Sequence, residues 1–397
     1  MDLDRALRDD LPRLVDIRHD LHAHPELGYD EHRTSGRVAD ELKALGIEHV
    51  TGLARGTGVL GYLPATENPV SAKTVALRAD MDALPILEET GLPYASQNPG
   101  RMHACGHDGH TTILLGTARA LRESDHRPNN VLLLFQPAEE GGAGGKAMCD
   151  DGALNGSRLG QRVDMVFGLH GYPSLRVGQV QTCVGPMLAS ADQFRLTLRG
   201  KGGHAAMPHT TIDPIVAGSH LVTALQSIVS RNLSPFESGV VTIGQFSAGH
   251  ACNIIPETAE LLGTVRALNA ASRSLLLTRV EQLIEGISST LGVQADLRWD
   301  TGYPVTDNAA EAVEFFKRSA RQSLGTGLVE ADCAPVMGGE DFSFYGQHAP
   351  ACFFWLGLLA DGPTEYPNLH HPKFDFNDQA IPVGVKAMVS VALQPVA

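Results

Sequence analysis

The sequence contains no apolar run long enough to cross a lipid bilayer. Its longest apolar runs, at 131–135 and 351–359, are far shorter than the roughly 20 residues that a membrane-spanning helix needs. The first ten residues carry charges of both signs and lack the apolar segment of a secretory signal, so we expect a cytoplasmic location. We therefore expect no membrane partner.

Basic residues and cysteines are also scarce. Lys and Arg total 31 against 45 Asp and Glu, which gives a formal net charge of -14. A surface of that sign repels phosphate backbones, so nucleic acid is excluded as an expected partner. Six cysteines are scattered over 397 residues, which is typical of reduced thiols and not of a disulfide framework.

The composition is otherwise that of an ordinary globular protein, with 43% hydrophobic and 19% charged residues. A chain of 397 residues exceeds the size at which one hydrophobic core usually stops growing. We therefore expect two domains and no extensive disorder.

Three short apolar runs, at 74–77, 131–135 and 165–169, predict buried parallel strands, because helical stretches such as 111–122 lie between them. Polar residues follow each of these runs directly. They are Asp80 and Asp82, then Glu139 and Glu140, then His170. Open parallel sheets place their ligand sites along this carboxyl edge.

The pattern changes near residue 187, where Phe194, Leu196 and Leu198 alternate with polar residues. The order β, α, β, β, α, β over 187–299 indicates a ferredoxin-like α+β layer. A helix at 309–324 and a strand at 352–356 then return to α/β character. The sequence thus predicts an α/β catalytic domain at 1–186 and 300–397, with a mostly parallel central sheet flanked by helices, and an inserted ferredoxin-like domain at 187–299.

The densest group of reactive side chains lies just before a predicted helix. Cys105 and His107 offer a thiolate and an imidazole two residues apart, which suits zinc or a similar divalent ion. Taken alone, this segment is read equally well as a turn with Asp108 capping the helix and histidines on the surface.

Other strand ends favour the metal interpretation. Glu139 and Glu140 end a buried strand, where two like charges are costly unless a cation holds one of them, leaving the other to act as a base. His170 and His370 also end apolar stretches. Together these side chains would supply the donors that a two-metal site needs, with zinc as the default ion and Mn, Co or Ni as alternatives.

Motifs spread over nearly the whole chain resemble those of the M20 metallopeptidases. Within that family they resemble the M20D amidohydrolases, which include hippurate hydrolase and the auxin-conjugate hydrolases. The matching motifs are LHAHPELGYDE at 21–31, LRADMDALP at 77–85, MHACGHDGH at 102–110, QPAEEGGAGG at 136–145, GLHGYP at 168–173, GKGGHAAMPH at 200–209, NIIP at 253–256, GTVRAL at 263–268, GGEDF at 338–342 and LHHP at 369–372.

The resemblance implies a metal-dependent hydrolase that cleaves the amide bond of N-acyl amino acids, with Glu139 as general acid and base. It also implies that the inserted domain is a lid that mediates homodimerisation, with a tetramer as the alternative. The implied ligands of two divalent metal ions are Cys105, His107, Glu140, His170 and His370.

Further roles in the lid follow from the same resemblance. His204 is implied to reach the partner subunit's active site and stabilise the tetrahedral oxyanion, the alternative being an ordinary surface histidine. Asn253 and Arg266 are implied to clamp the substrate carboxylate, although a structural ion pair would also explain Arg266. Gly338, with Gly339, is expected to let the backbone approach the substrate closely.

The chain departs from the broader family at two places. Where other M20 peptidases have His-x-Asp, this chain has Asp80-Met81-Asp82, which implies that Cys105 replaces the bridging carboxylate. Asp80 and Asp82 are then expected to orient the ligands, and Asp82 is placed among the catalytic residues. In LHHP either histidine could bind metal, but the position in the motif favours His370 over His371.

Three other functions stay open at this point. A thiol amidase would use Cys105 as nucleophile and His107 as base. A protein that binds metal without turnover would keep the fold alone, and a dipeptidase or aminopeptidase would keep the chemistry with a different substrate.

Overall fold

The structure is a computed structural model that describes residues 2–329, 333–362 and 365–396. The chain forms two compact units. Unit 1 contains Met1–Met187, Asp307–Ala334 and Asp341–Ala397, and unit 2 contains Leu188–Thr306 and Pro335–Glu340. The inserted segment therefore extends to Thr306, and a short later segment returns to unit 2.

The helices of the described residues are α1 (Leu3–Ala23), α2 (His32–Ala44), α3 (His107–Glu123), α4 (Gly144–Asp150), α5 (Pro214–Arg231), α6 (Ala270–Leu291), α7 (Ala310–Leu324) and α8 (Ile381–Leu393). The strands are β1 (Glu48–Leu53), β2 (Gly58–Leu63), β3 (Thr74–Asp80), β4 (Asn130–Gln136), β5 (Met165–Arg176), β6 (Val180–Gln181), β7 (Gly185–Leu188), β8 (Ser190–Arg199), β9 (Gly203–His204), β10 (Gly239–Ala248), β11 (Ile254–Ile255), β12 (Thr258–Ala267), β13 (Gln294–Tyr303), β14 (Thr306–Asn308) and β15 (Ala351–Leu359).

Unit 1 is built on a seven-stranded sheet in the order β1-β2-β4-β3-β5-β15-β6. The four middle strands, β4, β3, β5 and β15, run parallel, and the strands at both edges are antiparallel. Strands β3 and β4 are buried at every position, as expected for strands covered on both faces. The predicted α/β class with a mostly parallel central sheet is confirmed.

Helix ends in unit 1 follow from local sequence. Helix α1 begins where the Asp2 side chain accepts the N–H of Arg5 and ends at Ala23, before the His24-Pro25 pair. Helices α1, α3, α7 and α8 contribute leucine, valine and phenylalanine side chains to the same core as the sheet. The sheet and these helices therefore share one hydrophobic core.

Unit 2 is a four-stranded antiparallel sheet in the order β10-β12-β8-β13, with α5 and α6 packed against it. This strand order and the chain order β8-α5-β10-β12-α6-β13 confirm the ferredoxin-like layer. Asp213 caps α5 ahead of Pro214, and Asn269 caps α6, so both helices start at residues that satisfy their first N–H groups.

Within the described ranges, no helix combines the length and the hydropathy that crossing a bilayer requires.

Candidate metal centre and active site

The carboxyl ends of two parallel strands meet the middle of a third in the unit 1 sheet. In the register of the sheet, Asp80 is paired with Gln136, and Arg78 is paired with Gly168. Residues that follow these positions therefore lie side by side. This brings together the segments after β3 and β4 and the middle of β5, because β5 continues to Arg176 and does not end at His170 as the sequence predicts.

The loop before α3 carries two of the predicted ligands to this edge. Gly106 precedes α3 with a φ of 85°, a conformation that favours glycine, and His107 is the first residue of the helix. A Cβ atom on Gly109 would lie 2.5 Å from the ring of Phe376. Glycine at this position therefore lets the first turn of α3 pack closely against the aromatic core, with Cys105 and His107 at its end.

The five predicted ligands form two overlapping groups of three. The ligand atoms of Cys105, His107 and His170 lie within 4.8 Å of one another, and so do those of Cys105, Glu140 and His370. Cys105 Sγ is 3.3 Å from His170 Nε2, and Glu140 Oε1 is 3.1 Å from His370 Nε2. Because Cys105 belongs to both groups, its sulfur lies where it could bridge two ions.

Two histidines of the first group present the same ring nitrogen to the centre. His107 Nδ1 donates to the backbone carbonyl of Asp82 at 2.8 Å, and His170 Nδ1 donates to the carbonyl of Gly171 at 2.9 Å. A carbonyl only accepts, so each neutral ring keeps its lone pair on Nε2. The buried Nε2 of His107 has no hydrogen-bond partner among the described residues, which is costly unless a ligand such as a metal ion occupies the site.

The electrostatics of the centre also fit cations. Burial, then Glu140, Glu139 and Asp80, raise the pKa of the Cys105 thiol well above its ordinary value. Burial alone would lower the pKa of His107, but the neighbouring carboxylates raise it to about 10. A mixed set of sulfur, nitrogen and oxygen donors in such a negative environment suits zinc and the related divalent ions. The residues therefore fit a two-metal centre.

The LHHP motif places only its first histidine in the metal groups. His370 has a φ of 64°, and its backbone N–H donates to the carbonyl of Ala104 at 2.8 Å, which ties the motif to the loop before α3. His371 Nδ1 instead accepts the N–H of Lys373 at 3.1 Å. The left-handed backbone of His370 is strained for a residue other than glycine, as is common at functional positions.

Asp82 holds the backbone of the loop that carries both glutamates. Its two carboxylate oxygens accept the N–H groups of Glu139, at 3.0 Å, and Glu140, at 2.9 Å. Glu139 is 6% exposed as a residue, and its Oε1 accepts the N–H of Asp341 at 3.3 Å. Asp82 therefore orients Glu139 and Glu140 through their backbone N–H groups, and His107 through its own backbone carbonyl.

Asp80 borders the first metal group, with its Oδ2 3.7 Å from His107 Nε2. Its fully buried carboxylate accepts from Arg78 Nη1 and from His110 Nδ1, both at 2.7 Å. Arg78 Nη2 also donates to Asp341 at 3.1 Å. Our sequence analysis gave no role to Arg78, His110 or Asp341. The one signal was a charged residue, Arg78, inside a strand that is otherwise apolar, because a buried arginine requires partners.

Comparison with known proteins identifies the family of the chain. Residues 76–394 match the family model described as Peptidase family M20/M25/M40. The chain belongs to this family.

Relatives whose names give an activity match almost the whole M20 chain. An N-acetyl-L-cysteine deacetylase of Bacillus subtilis (strain 168) is 41% identical over 371 residues, which cover 93% of this chain and 85% of the relative. The IAA-amino acid hydrolase ILR1-like 4 of Arabidopsis thaliana is 40% identical over 385 residues, covering 96% and 84%. The crystal structure of the Bacillus subtilis YXEP protein, a dinuclear metal binding peptidase from the M20 family, matches with a TM-score of 0.81 and 33% identity over 97% of this chain and 98% of that one.

In this M20 chain, unit 2 places His204 beside Asn253. His204 in β9 pairs with Ile254 in β11, and the N–H of Ala205 donates to the carbonyl of Asn253 at 3.1 Å. The exposed imidazole of His204 accepts the N–H of Ala206 at Nδ1, 3.0 Å away. Its neutral ring therefore carries a proton on Nε2, which can donate to an oxyanion.

Arg266 lies in the four-stranded sheet, near the last residue of β12, whereas His204 belongs to the separate two-stranded sheet of β9 and β11. Asn253 comes before the first residue of β12, and the ladder of β8 and β12 continues towards it through Gly200 and Glu257. Arg266 is the last residue but one of β12, so eight steps of about 3.3 Å put roughly 26 Å of strand between Thr258 and Arg266. One chain therefore does not bring Asn253 and Arg266 together.

The Arg266 guanidinium has few partners in its own unit. Its Nη1 donates to the carbonyl of Met337 at 3.2 Å, and it forms no ion pair with any residue that the structure describes. A Cβ atom on Gly339 would lie 2.9 Å from Ala191 Cβ and 3.4 Å from Arg266 Nη1, whereas one on Gly338 would make only ordinary contacts. The glycine that allows a close approach is thus Gly339, while Gly338 accepts the N–H of Ala189 at 2.8 Å.

Proposed function

We propose that this M20 chain is a metal-dependent amidohydrolase that cleaves the amide bond of N-acyl amino acids and releases a carboxylic acid and a free amino acid. The observation that carries the proposal is Cys105, shared by two groups of metal ligands beside the buried carboxylate of Glu139. Two relatives, an N-acetyl-L-cysteine deacetylase and an IAA-amino acid hydrolase, support N-acyl amino acids as the substrate class. A cytoplasmic location stays part of the proposal.

Cys105, His107 and His170 would hold one divalent ion, and Cys105, Glu140 and His370 the other. The default ion is zinc, and Mn, Co or Ni would suit the same donors. Such a pair supplies a water of lowered pKa and a Lewis acid for the amide carbonyl.

Glu139 acts as the general acid and base in this proposal. Its carboxylate accepts a proton from the attacking water and later delivers it to the nitrogen of the leaving amine. The N–H of Asp341 holds Oε1, and Asp82 holds the backbone N–H, so the carboxylate is positioned before substrate arrives. A positioned acid and base of this kind contributes about 10² to 10⁴ in rate.

The proposed roles of unit 2 require two chains. His204 Nε2–H would stabilise the oxyanion, and Arg266 would bind the substrate carboxylate with its planar guanidinium. The backbone at Gly338 would lie beside the substrate. Since Asn253 and His204 lie far from Arg266 in one chain, a shared carboxylate clamp would combine residues of two subunits. We therefore propose a homodimer through unit 2, with a tetramer as a larger form of it.

Two alternatives differ in what they require. A thiol amidase needs an activated Cys105 thiolate, but burial and the neighbouring carboxylates raise the pKa of that thiol, and its partner at 3.3 Å is His170 and not His107. A dipeptidase or aminopeptidase would use the same centre on substrates with a free α-amino group, and none of the contacts described above favours it.

The deciding experiment measures amino-acid release from N-acetyl, N-benzoyl and N-succinyl amino acids, and from matched dipeptides, after loading with each metal in turn. We expect hydrolysis of the N-acyl compounds, with a preferred acyl group such as the benzoyl group of hippurate, and its loss on treatment with EDTA. Turnover that survives EDTA and is abolished by iodoacetamide would establish the thiol amidase instead. Exclusive cleavage of dipeptides would establish the peptidase.

A further inference from the structure

A buried histidine without a role in the proposed chemistry lies directly behind the metal centre. His110 in α3 is 1% exposed, and each of its ring nitrogens has a hydrogen-bond partner. Nδ1 is 2.7 Å from Asp80 Oδ1, and Nε2 is 2.9 Å from the backbone nitrogen of Gly171. Both ring nitrogens of His110 therefore already have hydrogen-bond partners, and Arg78 neutralises the Asp80 carboxylate. For these reasons we do not assign a third metal site to His110 and Asp80.

The two partners determine where the His110 proton lies. A backbone N–H can only donate, so Nε2 of His110 accepts and carries no proton. The carboxylate of Asp80, an ion paired with Arg78, accepts, so the proton of the neutral ring is on Nδ1. His110 is thus held as a single tautomer by Asp80 and Gly171, neither of which is among the five predicted metal ligands.

The contact with Gly171 leads to a metal ligand. The same residue whose N–H binds His110 offers its carbonyl to His170 Nδ1 at 2.9 Å. The rings of His110 and His170 also meet edge to face, with centroids 4.7 Å apart. A Cβ atom on Gly171 would lie 2.8 Å from Leu358 Cδ1, so the backbone at this position is tightly packed. His110 therefore contacts both the ring of His170 and the residue that orients it.

We propose that His110 is a positioning residue for His170. Held by Asp80 as the Nδ1–H tautomer, it anchors Gly171 and the imidazole of His170, so that Nε2 of His170 would be available to the ion that Cys105 and His107 would also hold. The inference rests on the proposed metal centre and assigns a function to the Asp80 side chain, which reaches His170 through His110.

Two variants separate the hydrogen bonds of His110. His110→Gln places an acceptor near the position of Nε2 and can still receive the Gly171 N–H, whereas His110→Asn places a donor near Nδ1 and reaches only Asp80. Loss of a residue that supports a ligand typically weakens metal binding by about 10-fold to 100-fold. We expect a loss of metal affinity of this size for His110→Asn. For His110→Gln, the logarithm of the loss in metal affinity should be no more than about a third of that for His110→Asn.

Metal affinity is measured by zinc competition with a chromophoric chelator and by the absorption of bound Co²⁺, alongside the thermal stability of the metal-free variants. A purely structural role predicts that both variants lose stability and that metal affinity falls equally in both. Equal affinities in the two variants would therefore overturn the inference.

The coupling to His170 is tested in two further backgrounds. With His170→Ala, the change to Asn at 110 should no longer affect the affinity of the remaining ion. With His370→Ala, it should keep its full effect on the ion held by His107 and His170. An effect of the same size in both backgrounds would contradict a route through His170.

The tautomer itself is checked without metal. The ¹⁵N shifts of His110 in the metal-free wild type should show a protonated Nδ1 and an unprotonated Nε2, and the reverse tautomer or an imidazolium would overturn the inference. A wild type that takes up no metal would remove the proposed function. Two ions bound with unchanged affinity by wild type and His110→Asn would remove only the role of His110.

Discussion

Glu31 accepts the backbone N–H of Ala138 at 2.8 Å, one residue before the proposed base Glu139. Its other carboxylate oxygen accepts the hydroxyl of Thr57 at 2.8 Å, and the side chain is fully buried. Burial, then the charge of Asp82, raises the pKa of Glu31 to about 7, although these hydrogen bonds oppose the shift. The loop of the two glutamates therefore rests on a carboxylate that is costly to ionise.

This raised pKa predicts a pH-dependent stability. Because the folded pKa of about 7 exceeds the ordinary value of 4.5, the folded state binds more protons in between, and the contribution of Glu31 falls as pH rises from 4.5 through 7. Glu31→Gln keeps an acceptor for Ala138 and should stabilise the protein above pH 7 by no more than about 3 kcal/mol. Thermal unfolding from pH 5 to 8 measures this, with the exposed Glu123→Gln as control. An unchanged pH slope in Glu31→Gln would contradict it.

Substitutions of the adjacent residues Glu139 and Glu140 should have different effects on turnover and metal content. Glu139→Gln should keep both ions and lose about 10² to 10⁴ in kcat, since only proton transfer is removed. Glu140→Gln should lose the ion held with Cys105 and His370, because it lacks a charged ligand. Metal content by mass spectrometry and steady-state kinetics distinguish the two. Loss of metal in Glu139→Gln, or near-normal turnover, would move the base elsewhere.

Arg266, whose guanidinium forms no ion pair within the described ranges, predicts an effect on substrate binding. Hydrogen bonds to a charged group are worth about 1.5–3 kcal/mol, so Arg266→Gln should lower kcat/KM for N-acyl amino acids by about 10-fold to 150-fold. The same variant should lose much less against N-acyl amino amides, which lack the carboxylate. Arg195→Gln, on the exposed face of β8, is the matched control. Equal losses on acids and amides would argue against a carboxylate clamp.

The distance between His204 and Arg266 in one chain predicts complementation between subunits. Glu139→Gln and His204→Ala should each be nearly inactive alone. If His204 acts on the partner's site, each mixed dimer has one intact site of two, so purified mixed dimers should have roughly half of wild-type activity. Activity is measured after co-expression and affinity purification of mixed dimers. Their complete inactivity would place His204 in its own subunit's site.

Two glycines in helices should respond to alanine in opposite directions. A Cβ atom at position 109 would lie 2.5 Å from the ring of Phe376, so Gly109→Ala should destabilise unit 1 by about 1–3 kcal/mol and disturb Cys105 and His107. Nothing lies within 4 Å of a Cβ atom at Gly36 in α2, where alanine should stabilise by about 0.5–1 kcal/mol. Chemical denaturation measures both, and a stable Gly109→Ala protein with normal metal content would contradict the packing argument.

The central strands were predictable because their burial on both faces leaves continuous apolar runs, and β3, β4 and β5 contain the predicted segments. The antiparallel hairpin of β1 and β2 was not predicted, since Glu48–Leu53 is largely exposed and has no such run. Unit 2 was recognisable because alternation along β8 follows directly from one buried face.

At the candidate site, the sequence indicated which residue types end the strands but not which atoms meet. Arg78 reaches Asp341 across 263 positions of sequence, and no local pattern reveals that pairing. His110 stands in the same motif as Cys105, yet its contact with Gly171 depends on the register between α3 and β5. The distance from Asn253 to Arg266 likewise depends on strand direction, which spacing along the chain does not give.

The two ligand groups draw on very different stretches of the polypeptide. Cys105, His107 and His170 are all translated before unit 2, whereas His370 and Asp341 follow it. A growing chain on the ribosome can thus assemble one trio of donors early but must emerge almost completely before the second trio and the amide that steadies Glu139 exist. Hydrolytic competence is consequently withheld from partial translation products until synthesis is nearly finished.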